Sequence, residues 1–232
     1  MISSTARRHS PLQAFTLVEL LVVVVILILL AALGLPTIRS AREKASATKC
    51  ASNLRQIGIA MQLYVGDNDY TLPGVFWTSA RGQQSYVYSN QDSASVGRVL
   101  ARYLQPYLNT KASTNNGYQE SDFFKCPSYM QKVPASLVRA SRVPYIANNG
   151  DDGSVKDSSG NVLRPFGVFG GAGPMKITSL ATVVELSKLW ALQDLDEDNL
   201  MGNKPGWIPS DPIHGSYRNT LFFDGHVEAI KR

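Results

Sequence analysis

The stretch Ala14 to Leu35, AFTLVELLVVVVILILLAALGL, constrains this chain more than any other. From Leu20 to Ile38 no residue carries a charge, and a helix rising 1.5 Å per residue there covers a hydrocarbon core roughly 30 Å thick. The stretch therefore reads as membrane-bound at some stage. Glu19 stands at its front, where a charged side chain inside a span costs about 2.5–3.5 kcal/mol. An acid retained at that cost is a functional residue by default. Arg7 and Arg8 precede the span, and Arg39, Arg42, Lys44 and Lys49 follow it. Counted alone, those charges favour an orientation with the N-terminus outside.

Ala14-Phe15-Thr16-Leu17-Val18-Glu19, after a short basic leader and before an apolar helix, resembles the class III signal of type IV prepilins and type II secretion pseudopilins. The resemblance implies that a prepilin peptidase on the cytoplasmic face cuts between Ala14 and Phe15 and N-methylates the new amine. Glu19 then pairs with the N-terminal amine of a neighbouring subunit in a filament. Pro36 lies where pilin helices often have a kinking proline. The family usually has Gly before the cut, and this chain has Ala14 there.

Two other readings fit the same stretch. A secretory signal peptide has a basic n-region like Arg7-Arg8 and a small-residue cleavage site like Ala32-Leu33-Gly34, although its apolar core is usually shorter. A permanent single-span anchor is the second. Neither gives Glu19 a role.

Behind the span the pattern stays helical to about Val65. Ala47, Cys50, Ala51, Leu54, Ile57, Met61 and Tyr64 recur at three- and four-residue spacing, and Arg42, Lys49, Asn53 and Gln56 fall largely away from them. One helix face is thus built to lie on a sheet, and Gly66-Asp67-Asn68-Asp69 is expected to stop the helix with Gly66 as C-cap. Arg98–Leu108 has helical spacing that Pro106 ends. Val143–Ala147 and Val162–Phe169 are predicted strands, as is the end of Leu186–Gln193. Asn219–Phe223 and His226–Ile230 flank Asp224-Gly225, a two-residue hairpin signal.

Three further segments resemble one pseudopilin-like subfamily. They are KCASNLRQIGIAMQLYVGDNDYTLPG after the span, Phe123-Phe124-Lys125-Cys126-Pro127, and His214 followed by nine residues and Asp224-Gly225, an H-X9-DG motif. The resemblance implies an α+β, pilin-like chain: leader 1–14, transmembrane and assembly helix 15–38, amphipathic continuation 39–66, and a globular head 67–232 with a C-terminal antiparallel sheet. It implies residence in the inner membrane with the N-terminus cytoplasmic and the head periplasmic or extracellular. The expected partners are homologous subunits, the peptidase and membrane lipid.

With the head outside the cytoplasm, an oxidising compartment permits a disulfide between Cys50 and Cys126, which have no metal-type spacing; two buried free thiols are the alternative. Asp194, Asp196 and Asp198 alternate in a way that offers oxygen ligands to Ca2+, as a C-terminal loop does in related pseudopilins, with a solvated acidic loop as the alternative. That run lacks the glycine and closing glutamate of an EF-hand. No other cofactor is indicated. His214 has an architectural reading, a local backbone hydrogen bond.

The net charge of +5 gathers beside the span, and elsewhere acids and bases are interspersed without the aromatic-and-basic strip of a nucleic-acid binder. No nucleic-acid partner is expected, although a cargo- or DNA-binding tip component is the second function class. Outside the leader the only histidines are His214 and His226, and no nucleophile elbow, P-loop or HExxH occurs. The chain is not expected to be an enzyme; paired carboxylates in a cleft would be the exception.

Overall fold

The computed structural model describes residues 16–76, 83–89, 98–112, 117–136, 143–150, 155–200, 206 and 208–231, without the side chains of residues 33–36 and 39. Leader 1–14, the proposed cleavage residues Ala14 and Phe15, and the side chain of Pro36 lie outside the described set. The chain divides into two compact units between Arg42 and Glu43.

Helix α1 (Leu17–Asp67) begins in the first unit and ends in the second. Its start is a reciprocal cap. Thr16 Oγ1 accepts the Glu19 backbone N–H at 3.3 Å, and Glu19 Oε2 accepts from the Thr16 backbone N–H at 2.9 Å and hydroxyl at 2.8 Å. Thr-x-x-Glu is the sequence of a capping box, which satisfies two N–H groups that a helix start leaves without intrahelical partners. Beyond it, each apolar side chain from Leu17 to Leu30 is exposed, from 43% at Val24 to 82% at Leu17. Among the described residues no helix is long and apolar enough to cross a membrane.

In the second unit α1 buries Ala47, Cys50, Leu54, Ile57 and Met61 of the sequence stripe, half-buries Ala51 and Tyr64, and also buries Ala60 and Val65. Gly58 allows the sheet to come close: a Cβ there would sit 2.7 Å from Leu221 Cδ1. Asn53, expected on the polar side, is buried instead. Its amide donates to the Lys125 and Asp122 carbonyls at 2.9 and 3.3 Å, so the 122–126 segment covers that flank of the helix. The helix also runs through Gly66. Asn68 Nδ2 donates to the Tyr64 carbonyl at 2.7 Å and the Tyr70 N–H to that of Val65 at 2.9 Å, so a side-chain amide and a turn take the terminal carbonyls. The left-handed residues are Asp69 and Tyr70.

The remainder is α+β, with an antiparallel sheet. Strands β1 (Gln83–Gln84), β4 (Tyr145–Ala147), β5 (Trp190–Asp194), β6 (Tyr217–Phe222) and β7 (Val227–Lys231) lie in the order β1-β4-β5-β6-β7, and β2 (Val87–Tyr88) pairs separately with β3 (Gln119–Glu120). Short helices α2 (Leu100–Tyr103), α3 (Pro127–Lys132) and α4 (Ile177–Ala181) fill the connections. The larger hydrophobic cluster gathers the α1 stripe with Tyr145, Ala147, Leu192 and Leu221. A smaller one holds Val143, Ile146, Leu195, Leu200 and Ile208. Tyr145 and Ile146 enter different clusters because successive strand residues point to opposite faces.

Three local expectations change. Only Leu100–Tyr103 of the Arg98–Leu108 stretch is α-helical, and turns lead into Pro106, which has no N–H to continue a helix. Val162–Phe169 forms the isolated bridges Lys156↔Val162 and Phe76↔Val168, with no strand, because Gly167 at φ +67° closes a turn onto the Arg164 carbonyl. The C-terminal hairpin has a three-residue loop, Phe223-Asp224-Gly225. Phe222 N–H bonds to the His226 carbonyl at 2.9 Å and Gly225 N–H to that of Phe222 at 3.0 Å, with Gly225 at φ +95°. Phe223 is drawn into the loop because its N–H pairs with the Leu189 carbonyl and its ring is buried against Phe166.

Candidate functional site

The residues singled out in the sequence fall into three places. Glu19 caps the start of α1. Asp224 and Gly225 form the hairpin loop: Asp224 Oδ1 lies 2.6 Å from His226 Nδ1, and the Asp224 carbonyl accepts from Gln62 of α1 at 2.8 Å. This loop is thus fastened to the helix, and a side chain at Gly225 would strike Gln62. Cys50, Cys126, Asp194 and His214 come together in the interior.

Cys50 of α1 and Cys126, at the start of α3, are joined by a disulfide across 76 positions of sequence, with Cα atoms 4.9 Å apart. Cys50 belongs to the buried helix stripe, and Pro127 opens α3 directly after Cys126, which fixes the chain direction there. His214 Nε2 lies 3.8 Å from Cys126 Sγ and 3.1 Å from Asp194 Oδ2, and both side chains of the His–Asp pair are buried.

Asp194 closes β5. Leu192 faces the large core, and period-two alternation turns Asp194 to the same side. Its Oδ2 also accepts the Asn219 backbone N–H at 2.7 Å, while its Oδ1 has no hydrogen-bond partner among the described residues. Tyr145 stands opposite in β4, fully buried and with its hydroxyl likewise unpartnered among those residues. Burial, then the nearby Asp194 charge, pushes the Tyr145 phenol well above its usual range.

The three alternating aspartates have different partners. Asp194 is taken by His214 and Asn219. Asp196 is held by Arg218 through two bonds of 2.5 and 2.7 Å, and Asp198 reaches the same guanidinium at 3.5 Å. Asp196 is 1% exposed, and its hydrogen bonds hold Arg218 protonated more firmly than usual. Among the described residues the cluster with metal-ligating geometry is Cys50, Cys126 and His214, whose ligand atoms lie within 4.8 Å of one another.

Arg218 and Asn53 were not singled out in the sequence. Arg218 sits inside HGSYRN four residues after His214, and nothing in that string distinguishes it from an exposed strand residue. The His214 arrangement is also not that of a nucleophile–base–carboxylate relay. There the acid holds the ring nitrogen opposite the one facing the nucleophile, whereas Asp194 and Cys126 here share Nε2. No family model, curated protein or solved structure matches the chain.

Proposed function

We propose that this protein is a structural subunit of a type IV pilus-like or type II secretion pseudopilus filament. In this reading it is held in the inner membrane with its N-terminus cytoplasmic, processed before Phe15 by a prepilin peptidase, and assembled through its apolar helix. The observation that carries the reading is the exposure of every apolar side chain from Leu17 to Leu30, behind a single acid. An α-helix apolar on all sides is stable only among lipid tails or other apolar helices, and the sequence carries no charge from Leu20 to Ile38. One surface then serves as anchor before assembly and as filament core afterwards.

Glu19 gives such a filament its register. Within one chain its carboxylate is occupied by Thr16, a cap worth about 0.5–2 kcal/mol that a cationic partner can displace. Cleavage before Phe15 creates a cationic amine one residue from that cap. A neighbouring subunit at the correct stagger can then offer its amine to a carboxylate otherwise buried among apolar side chains.

Intact mass with N-terminal sequencing of protein taken from membranes, with and without prepilin peptidase, tests the proposal. The expected result is a peptidase-dependent N-terminus at methylated Phe15. Cleavage after Gly34 would instead mean an exported head, and an uncut leader a permanent anchor; either removes the assembly role from Glu19.

A further inference from the structure

The interior cluster of the head has the composition of a closed metal site, and we propose that its reduced form binds Zn2+ through Cys50, Cys126, His214 and Asp194. Two observations meet here. Two sulfurs and an imidazole nitrogen already lie within 4.8 Å of one another. In a tetrahedral zinc site with bonds of about 2.0–2.3 Å, neighbouring ligand atoms stand roughly 3.4–3.8 Å apart. The Cys126 Sγ to His214 Nε2 distance of 3.8 Å falls in that range, and the Asp194 carboxylate stands beside the same nitrogen, its Oδ2 3.1 Å away.

The second observation is the state of Asp194. Its side chain is wholly buried, yet one oxygen has no hydrogen-bond partner among the described residues. A buried carboxylate without a full set of donors is costly, and a divalent cation supplies what is missing. The Asn219 N–H on Oδ2 would then orient the ligand from behind.

The exchange balances. A dithiol reductant gives two electrons and two protons to the Cys50–Cys126 bond and leaves as its own disulfide, so two thiols remain. Zn2+ binds both as thiolates and displaces two protons; His214 binds through Nε2 with its proton on Nδ1. Either crosslink, sulfur–sulfur or sulfur–metal–sulfur, fastens α1 to the start of α3. A reduced chain thereby keeps the helix docked until the disulfide forms.

Cobalt titration of the detergent-solubilised full chain tests this, after anaerobic reduction and removal of the reductant. The reduced protein should take one Co2+ per chain, with the intense visible bands of tetrahedral cobalt and a thiolate-to-metal charge-transfer band. Zn2+ should displace it, and the oxidised protein should take none. His214→Gln should weaken binding on the order of 100-fold or more, while His226→Ala leaves it unchanged. The proposal is overturned by a reduced chain without the thiolate band, by equal binding to the oxidised chain, by wild-type binding in His214→Gln, or by loss in His226→Ala. A chain that unfolds on reduction and is not refolded by the metal also overturns it.

Discussion

The two ends of helix α1 solve the same problem in opposite ways. From Leu17 to Leu30 apolar side chains surround the helix and all are exposed; from Ala47 to Val65 a stripe through Cys50, Leu54, Ile57 and Met61 is buried within the head, while Ile59 and Leu63 stay exposed. The acids the chain keeps near these apolar surfaces are also held differently. Glu19 is capped by its own neighbour Thr16, and Asp194 is enclosed by His214 and Asn219. Hydropathy alone therefore does not decide burial. Angular distribution does: a stripe finds its cover inside the chain, whereas an all-round apolar surface has to find it outside.

The contrast breaks most visibly at Glu19. Glu19→Val removes the one acid of the exposed region without shortening it, so membrane insertion should persist while incorporation into filaments falls to background. Sheared-filament fractions and membrane fractions probed side by side check this, and normal incorporation would refute the filament role of Glu19.

Within the head the largest single effect should come from the cross-link. Replacing both Cys50 and Cys126 by Ser frees a closed loop spanning 76 positions of sequence, for which the chain-entropy account gives about 4.5 kcal/mol. Denaturant unfolding of the detergent-solubilised chain measures it; a loss under about 1 kcal/mol would mean the cross-link is strained or the reduced ensemble already compact.

The two halves of the helix can then be compared directly. Leu54 is fully buried in the core cluster and Leu27 is 59% exposed. Leu54→Ala should cost about 2–5 kcal/mol of head stability, and Leu27→Ala less than about 0.5 kcal/mol. Equal losses would show that the exposed stretch is packed by something in the same protein.

Much of this division was legible in the sequence, because it rests on periodicity. The stripe Cys50, Leu54, Ile57 and Met61 is read from spacing alone, and the hairpin from Asp224-Gly225. What escaped the sequence depends on what comes to lie nearby. Asn53 looks like a solvent-facing residue until the 122–126 segment, distant in sequence, is laid over it. Asp194, Asp196 and Asp198 look equivalent in the string, yet Asp194 ends a strand on its core face and Asp196 meets Arg218 beyond it. The parity of Leu192 and Asp194 carried that information once the strand was placed. The Thr16–Glu19 cap was also readable, as a Thr-x-x-Glu start before an apolar run.

The smallest effect sharpens the account of the head's interior. Tyr145 is buried with no hydroxyl partner among the described residues and faces Asp194, so its phenol stays neutral well above the usual value of 10.0. Below pH 10 the folded and unfolded chains hold this proton equally, and Tyr145→Phe should change stability by no more than about 1 kcal/mol. Above pH 10 the unfolded chain ionises while the folded chain does not. The unfolded state then binds fewer protons, and stability should fall by about 1.4 kcal/mol per pH unit from this one group until the folded phenol ionises. Tyr145→Phe removes that slope and nothing else. Unfolding curves of the two proteins from pH 8 to pH 11 should therefore run together up to about pH 10 and separate above it, with the variant the more stable. Parallel curves throughout would mean that water or a movement of the chain reaches Tyr145, and the interior facing Asp194 would then be wetter than its burial implies.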